Sequence, residues 1–67
     1  MKVKECLVKI AKSDNDTRET IFVSHNLKAL SVEVGKEIWV EEPYYKILSS
    51  GNLGDRTSLL KERVVEK

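Results

Sequence analysis

The order of apolar and polar positions predicts strands first and a helix late. Over residues 2–11, Cys6, Val8 and Ile10 alternate on one face, with Glu5, Leu7 and Lys9 on the other. Ser13-Asp14-Asn15-Asp16 reads as a turn, because these side chains bond their own backbone. A second strand is expected over 19–25, centred on Ile21-Phe22-Val23, whose β-branched and aromatic side chains suit a pleated sheet. Both strands carry apolar residues on each face, which predicts central or covered positions. Asn26-Leu27-Lys28-Ala29 is a short connection in which Asn26 can take a positive φ.

Leu30, Val32 and Val34 then alternate with Ser31 and Glu33, and Ile38-Trp39-Val40-Glu41 follows Gly35-Lys36-Glu37. The pattern predicts a hairpin. A two-residue loop, Gly35-Lys36, sets Val34 against Glu37 and mixes charge with apolar residues on both faces. A three-residue loop with a bulge pairs Val34 with Ile38 and Val32 with Val40, which makes one face wholly apolar. Trp39 then lies on the opposite face beside Glu33 and Glu41 and needs a cover.

Pro43 suits a first helical position, the preceding glutamates suit the dipole there, and Tyr44, Ile47 and Leu48 share one face. Gly51 is placed to end the helix in a left-handed conformation. Beyond it, Asn52-Leu53-Gly54-Asp55 breaks the chain, and Thr57 or Ser58 can cap a second helix over 59–65, with Leu60 and Val64 four apart. About ten residues are marginal for an isolated helix, so this segment must dock or fray.

The expectation is an α+β fold: a small antiparallel sheet of about four strands, a short helix over about 43–50, and a C-terminal tail or helix. Residues 1–52 form a single small β-rich domain and 53–67 the tail or short amphipathic helix. The expected core is Cys6, Val8, Ile10, Phe22, Val32, Val34, Ile38, Val40, Ile47 and Leu48.

Length and charge narrow the function. Sixty-seven residues, 40% hydrophobic and 34% charged, make one small globular domain with an ordinary composition. A chain this short buries only about 60% of its extended surface, so a partner is a natural source of further stability. The single Cys cannot form an internal disulfide, which points to a reducing compartment. Apolar runs of three residues neither span a bilayer nor serve a signal peptide.

Catalytic groups are sparse. Cys6 and His25 sit on different predicted strands, with no placed orienting group, so they do not read as a nucleophile pair. Asp14, Asp16 and Glu19 resemble the start of a calcium loop, but Glu19 and His25 stand where that loop needs Gly and Glu. Gly51-Asn52-Leu53-Gly54-Asp55 lacks the Lys and hydroxyl of a phosphate loop. No enzyme, metal site or cofactor is expected.

Nucleic acid has one point in its favour: Lys2, Lys4, Lys9 and Lys12 against Glu5 give the first twelve residues +3, and the aromatic residues can stack on bases. Glu33, Glu37, Glu41 and Glu42 against Lys36 give 33–42 a charge of −3 around Trp39, which repels a phosphate backbone. That asymmetry suits protein contact better, a basic edge strand meeting an acidic hairpin of a neighbouring subunit.

The run Val32-Glu33-Val34-Gly35-Lys36-Glu37-Ile38-Trp39-Val40-Glu41-Glu42-Pro43-Tyr44-Tyr45-Lys46-Ile47-Leu48 resembles a pattern of small tailed-bacteriophage virion proteins of the head, neck or decoration type. There, a hairpin with Gly and Lys in its turn leads through acid, Pro and an aromatic or aliphatic pair into a short helix. The resemblance covers about residues 32–51 and includes no catalytic or ligand motif. It implies a structural role in a virion, with a capsid or neck protein as partner, and a location in the virion or host cytoplasm. Trp39 departs from the plain aliphatic strand of that pattern.

The function expected is therefore a non-enzymatic structural or interaction protein that binds other protein subunits or itself. The alternative is a small nucleic-acid-binding or regulatory module, including an inhibitor of a host protein. The interface candidates are Trp39, Glu41, Leu53, Leu59, Leu60 and Val64. Within one chain, Leu59, Leu60 and Val64 can instead pack over Trp39.

Overall fold

The computed structural model describes residues 1–15, 17, 19–26 and 28–67. Asp16 of the expected turn and Leu27 of the expected connection lie outside them. In chain order the elements are β1 (Lys2–Ile10), β2 (Thr20–His25), β3 (Lys28–Glu33), β4 (Glu37–Glu41), α1 (Glu42–Ser50), a 3-10 turn (Gly54–Arg56) and β5 (Thr57–Glu66). The class is α+β and mostly sheet. The described strands form two antiparallel sheets, one of three strands ordered β4-β1-β5 and one of two, β2-β3.

The alternation in β1 produces the core. Cys6, Val8 and Ile10 are buried on one face, opposite Val40 and Ile38 of β4. Val23 and Val32 bring the inner face of the two-stranded sheet onto them, and Tyr44 and Leu48 bring one face of α1. Val8, Ile10 and Val32 are fully buried, each worth about 1.5–3 kcal/mol relative to exposure.

Three expectations are corrected. First, β3 and β4 do not pair with each other: β3 pairs with β2, setting Val32 opposite Ile21, and β4 pairs with β1, setting Val40 opposite Cys6. Alternation decides which face a residue takes, and β1 and β2 offer matching apolar faces to these strands. The expected hairpin turn is a corner between sheets. There, the Val34 N–H donates to the Glu19 carbonyl (2.9 Å) and the Gly35 N–H to the Ile10 carbonyl (2.8 Å), tying the corner to both sheets. Gly35 has φ 85°, which glycine adopts without strain.

Second, the segment expected as a tail or short amphipathic helix is instead the ten-residue β5. Its apolar residues satisfy a four-residue helical spacing and also an extended ladder with one irregularity, and the open edge of β1 selects the ladder. Thr57 caps no helix. It opens β5, its hydroxyl donating to the Leu53 carbonyl at 2.8 Å. Lys61 faces Leu7 while Leu59 faces Val8, so Leu60 is the extra residue of a bulge.

Third, Phe22 and Ile47 are not core. Phe22 is 75% exposed on the outer face of β2, and Val23 is the buried residue in its place. Ile47 is exposed on the flank of α1, whose buried residues are Tyr44 and Leu48. Val34 and Ile38 are half-buried against the core. Gly51 ends the helix in an extended conformation (φ −93°, ψ −165°), and its N–H donates to the Ile47 carbonyl. No helix among the described residues is long and apolar enough to cross a membrane.

Candidate interaction surfaces

The six expected interface residues fall on three separate surfaces. Trp39 and Glu41 lie on the outer face of the three-stranded sheet. Trp39 is opposite Leu7, and Glu41 is opposite Glu5. Two carboxylates directly across a ladder repel each other. Arg63 and Lys67 neutralise this pair: the Arg63 guanidinium lies 2.9 Å from Glu5 Oε1, and Lys67 Nζ lies 3.0 Å from Glu41 Oε1 and 3.4 Å from Glu5 Oε2. The Arg63 guanidinium also covers the Trp39 ring, 3.9 Å from its centroid. The residue that covers Trp39 is thus a cation from β5, and Leu59, Leu60 and Val64 do not perform that role.

Leu59, Leu60 and Val64 are 39%, 45% and 63% exposed on β5, which forms one edge of its sheet. Lys61, Glu62 and Arg63 interrupt them. Charges and a bulge on an edge strand are the usual features that prevent strand-to-strand association.

Leu53 belongs to the third surface, a groove between β2 and the C-terminal half of α1. Its volume is about 350 Å³ and its apolar lining comes from Ile21, Phe22, Val23, Ile47, Leu48 and Leu53. Ser24, Gly51 and Asn52 complete it, so among the described residues no charged side chain enters the lining. Four consecutive residues of β2, Ile21 to Ser24, contribute to it, and among the described residues β2 has no strand on its side away from β3. Phe22 and Ile47, assigned to the core on sequence pattern, are the main residues that pattern reasoning missed here. The period of β2 permits either Phe22 or Val23 to face inward, and only the packing of α1 decides between them.

The groups with chemical potential are placed elsewhere. The Cys6 thiol is 1% exposed, and desolvation pushes its pKa up, reinforced by the Glu62 carboxylate. The His25 ring meets the Tyr44 ring edge-on, with centroids 5.7 Å apart, and its Nε2 lies 3.4 Å from Asn26 Nδ2. Among the described residues, no group of three His, Cys, Asp or Glu side chains is placed to hold a metal ion.

The basic residues of β1 are divided. Lys4 sits between Glu42 (3.3 Å) and Glu62 (3.2 Å) on the inner side, while Lys9 points to the outer face and is paired in register with Glu37 of β4. β1 is central in its sheet, so the basic edge strand expected from the sequence does not form; the acidic β4 pairs with it inside the chain. Compared with family models, with curated proteins and with solved structures, the chain matches none.

Proposed function

We propose that the chain is a non-enzymatic interaction protein that binds another protein subunit, and that the β2–α1 groove is the contact. The occupant is an extended, uncharged apolar segment of that subunit, added as a strand to the open edge of β2. The observation that carries this reading is the exposure of Phe22, at 75%, beside an uncharged apolar groove. Aromatic side chains are favoured anchors of protein interfaces, and truncating an anchor costs about 2 kcal/mol or more of binding. The division of the β1 lysines between two faces, and the capture of Lys4 by two glutamates, supports this reading over nucleic acid.

A bacteriophage virion is the setting suggested by the resemblance over 32–51, with a capsid or neck protein as partner. Its strand–Pro–helix half falls on β4 and α1, but its hairpin half does not form, since β3 and β4 lie in different sheets.

The test is recovery of capsid or neck subunits by three forms of the chain: unaltered, Phe22→Glu and Leu60→Glu. Recovery lost with Phe22→Glu and kept with Leu60→Glu supports the groove. Equal recovery by all three overturns it. Retention on DNA that weakens steeply with salt favours the nucleic-acid module instead.

A further inference from the structure

β2 reads Thr20-Ile21-Phe22-Val23-Ser24-His25, with no Lys, Arg, Asp, Glu or Pro and no bulge. Among the described residues its far edge has no strand partner, because the sheet ends there. Of the open edges among the described residues this is the one without a guard. Two antiparallel copies of one edge strand are related by a two-fold axis perpendicular to the sheet, so residues that face each other must share a face. That rule allows few registers, and each can be checked for charge.

About Phe22 the register is self-complementary. Phe22 meets Phe22 of the second copy, Ile21 meets Val23, Thr20 meets Ser24, and the flanking Glu19 meets His25. Every apolar residue meets an apolar one, the hydroxyls meet each other, and the carboxylate meets the imidazole. In the registers centred on Trp39, Val64, Glu62 and Leu30 the other edges fail the same check. β4 turned about Trp39 sets Glu37 against Glu41; β5 turned about Val64 sets Glu62 against Glu66, and turned about Glu62 sets Lys61 against Arg63. β3 turned about Leu30 sets Lys28 against the fully buried position of Val32.

We infer that the occupant of the groove is a second copy of this chain, its β2 paired antiparallel with the first in a register centred on Phe22. The two-stranded sheets then merge into one of four strands, β3-β2-β2-β3. Ile21 and Val23 of each copy enter the groove of the other, beside Ile47, Leu48 and Leu53. This inference rests on the protein-binding reading above and makes a second copy, in place of a capsid or neck subunit, the occupant of the groove. A six-residue strand is about 20 Å long, so the contact belongs below the roughly 1,200 Å² of a standard interface. The dimer is accordingly weak and reversible.

Two measurements test it. Sedimentation equilibrium from micromolar to millimolar concentration is expected to show a monomer–dimer equilibrium, weakened at least tenfold by Phe22→Glu and unchanged by Leu60→Glu. A chain that stays monomeric throughout, or a dimer indifferent to Phe22→Glu, overturns the inference. Register is read by disulfide trapping, with Cys6 buried and silent. Facing residues have Cα atoms about 4.5–5.5 Å apart, within disulfide reach. Phe22→Cys alone is expected to cross-link. Thr20→Cys and Ser24→Cys, whose own copies lie about 13 Å apart along the strands, are expected to cross-link only when mixed. Efficient trapping of Thr20→Cys by itself overturns the register. If the chain is monomeric yet recovers a capsid or neck subunit through Phe22, the self-association fails and the protein-binding reading stands.

Discussion

Arg63 lies over Trp39, its guanidinium carbon 3.9 Å from the ring centroid, while its Nε donates to Glu5 at 2.9 Å. One side chain therefore spans the three-stranded sheet, from β5 across β1 to β4. It covers the large apolar side chain on that face with a group that keeps its contact with water. A cation over an aromatic face at an exposed site contributes about 0.5–1 kcal/mol. A double-mutant cycle of Trp39→Leu and Arg63→Met is expected to show a coupling of that size by urea denaturation. Additive effects remove the stacking as a stabilising contact.

The same face sets the response to acid. The hydrogen bond from Arg63 holds the Glu5 carboxyl below its ordinary pKa, against partial desolvation and with help from Lys67. The hydrogen bond from Lys4, and then the charge of Lys46, do the same for Glu42. A folded pKa below the unfolded one gives stability that is present above the unfolded value, about 4.3, and lost as pH falls through the folded value. The urea midpoint is expected to decline below about pH 4.3. Glu5→Gln is expected to lower the midpoint at neutral pH and to flatten that decline. Lys4, Lys36 and Lys67 are raised, first by hydrogen bonds to Glu62, Glu33 and Glu41 respectively, so their contribution holds below about pH 10.4 and is lost as pH rises through their folded values. An acid limb identical in Glu5→Gln and the unaltered chain contradicts this assignment.

β5 is a structural strand of the sheet. It pairs with β1 from Lys2 opposite Glu66 to Ile10 opposite Thr57. Ending the chain at Leu53 removes that ladder, the cover of Trp39, and the bond from the Ala11 N–H to the Arg56 carbonyl. The truncated chain is expected to lack a cooperative thermal transition and to show collapsed amide dispersion. A folded truncated chain would establish residues 54–67 as an appendage.

Gly54 opens the 3-10 turn that aims the chain into β5. A Cβ at this position meets the backbone carbonyl of Ser49, which cannot swing aside as a flexible side chain can. Gly54→Ala is expected to cost about 1–3 kcal/mol, the range for forced overpacking. A Cβ at Gly35 meets open space, so there only the positive φ opposes Ala, and the cost is expected to be smaller. Equal urea midpoints for the two variants contradict the close approach at Gly54.

The facing of β1, β3 and β4 was legible in the sequence, because Cys6, Val8 and Ile10, and Val32 and Val40, gather most of the apolar side chains on one side, with Leu7 and Trp39 on the other. The partners of those strands were not. Val32 and Val40 can face each other across a hairpin or face Ile21 and Cys6, and local pattern scores both arrangements alike. Residues 57–66 were misread for a related reason. Leu60 and Val64 suit a helix face, and the bulge at Leu60 breaks the two-residue period that marks a strand. Trp39 was legible as a residue in need of cover, while its cover, a charged Arg63, lies outside any apolar pattern. The groove was illegible, since it joins Phe22 on one element to Ile47 and Leu53 on others.

The opposed roles of Phe22 and Ile10 provide the sharpest check on this architecture. Both are large apolar residues near the middle or end of apolar strands, and sequence pattern assigns both to the core. In the fold Ile10 is 0% exposed and Phe22 is 75% exposed. Removing side-chain atoms from a packed interior costs their transfer free energy plus that of the cavity left behind, about 2–5 kcal/mol for Ile→Ala. A substitution on an open face away from caps and special backbone stays within about 0.5 kcal/mol. At the lowest protein concentration that can be measured, Ile10→Ala is expected to lower the urea midpoint strongly while Phe22→Ser leaves it nearly unchanged. At high concentration Phe22→Ser is expected to acquire a deficit, because the proposed self-association would stabilise the unaltered chain by mass action and not the variant. A large loss for Phe22→Ser in dilute solution would place Phe22 inside the monomer and remove the exposed anchor on which the interface depends.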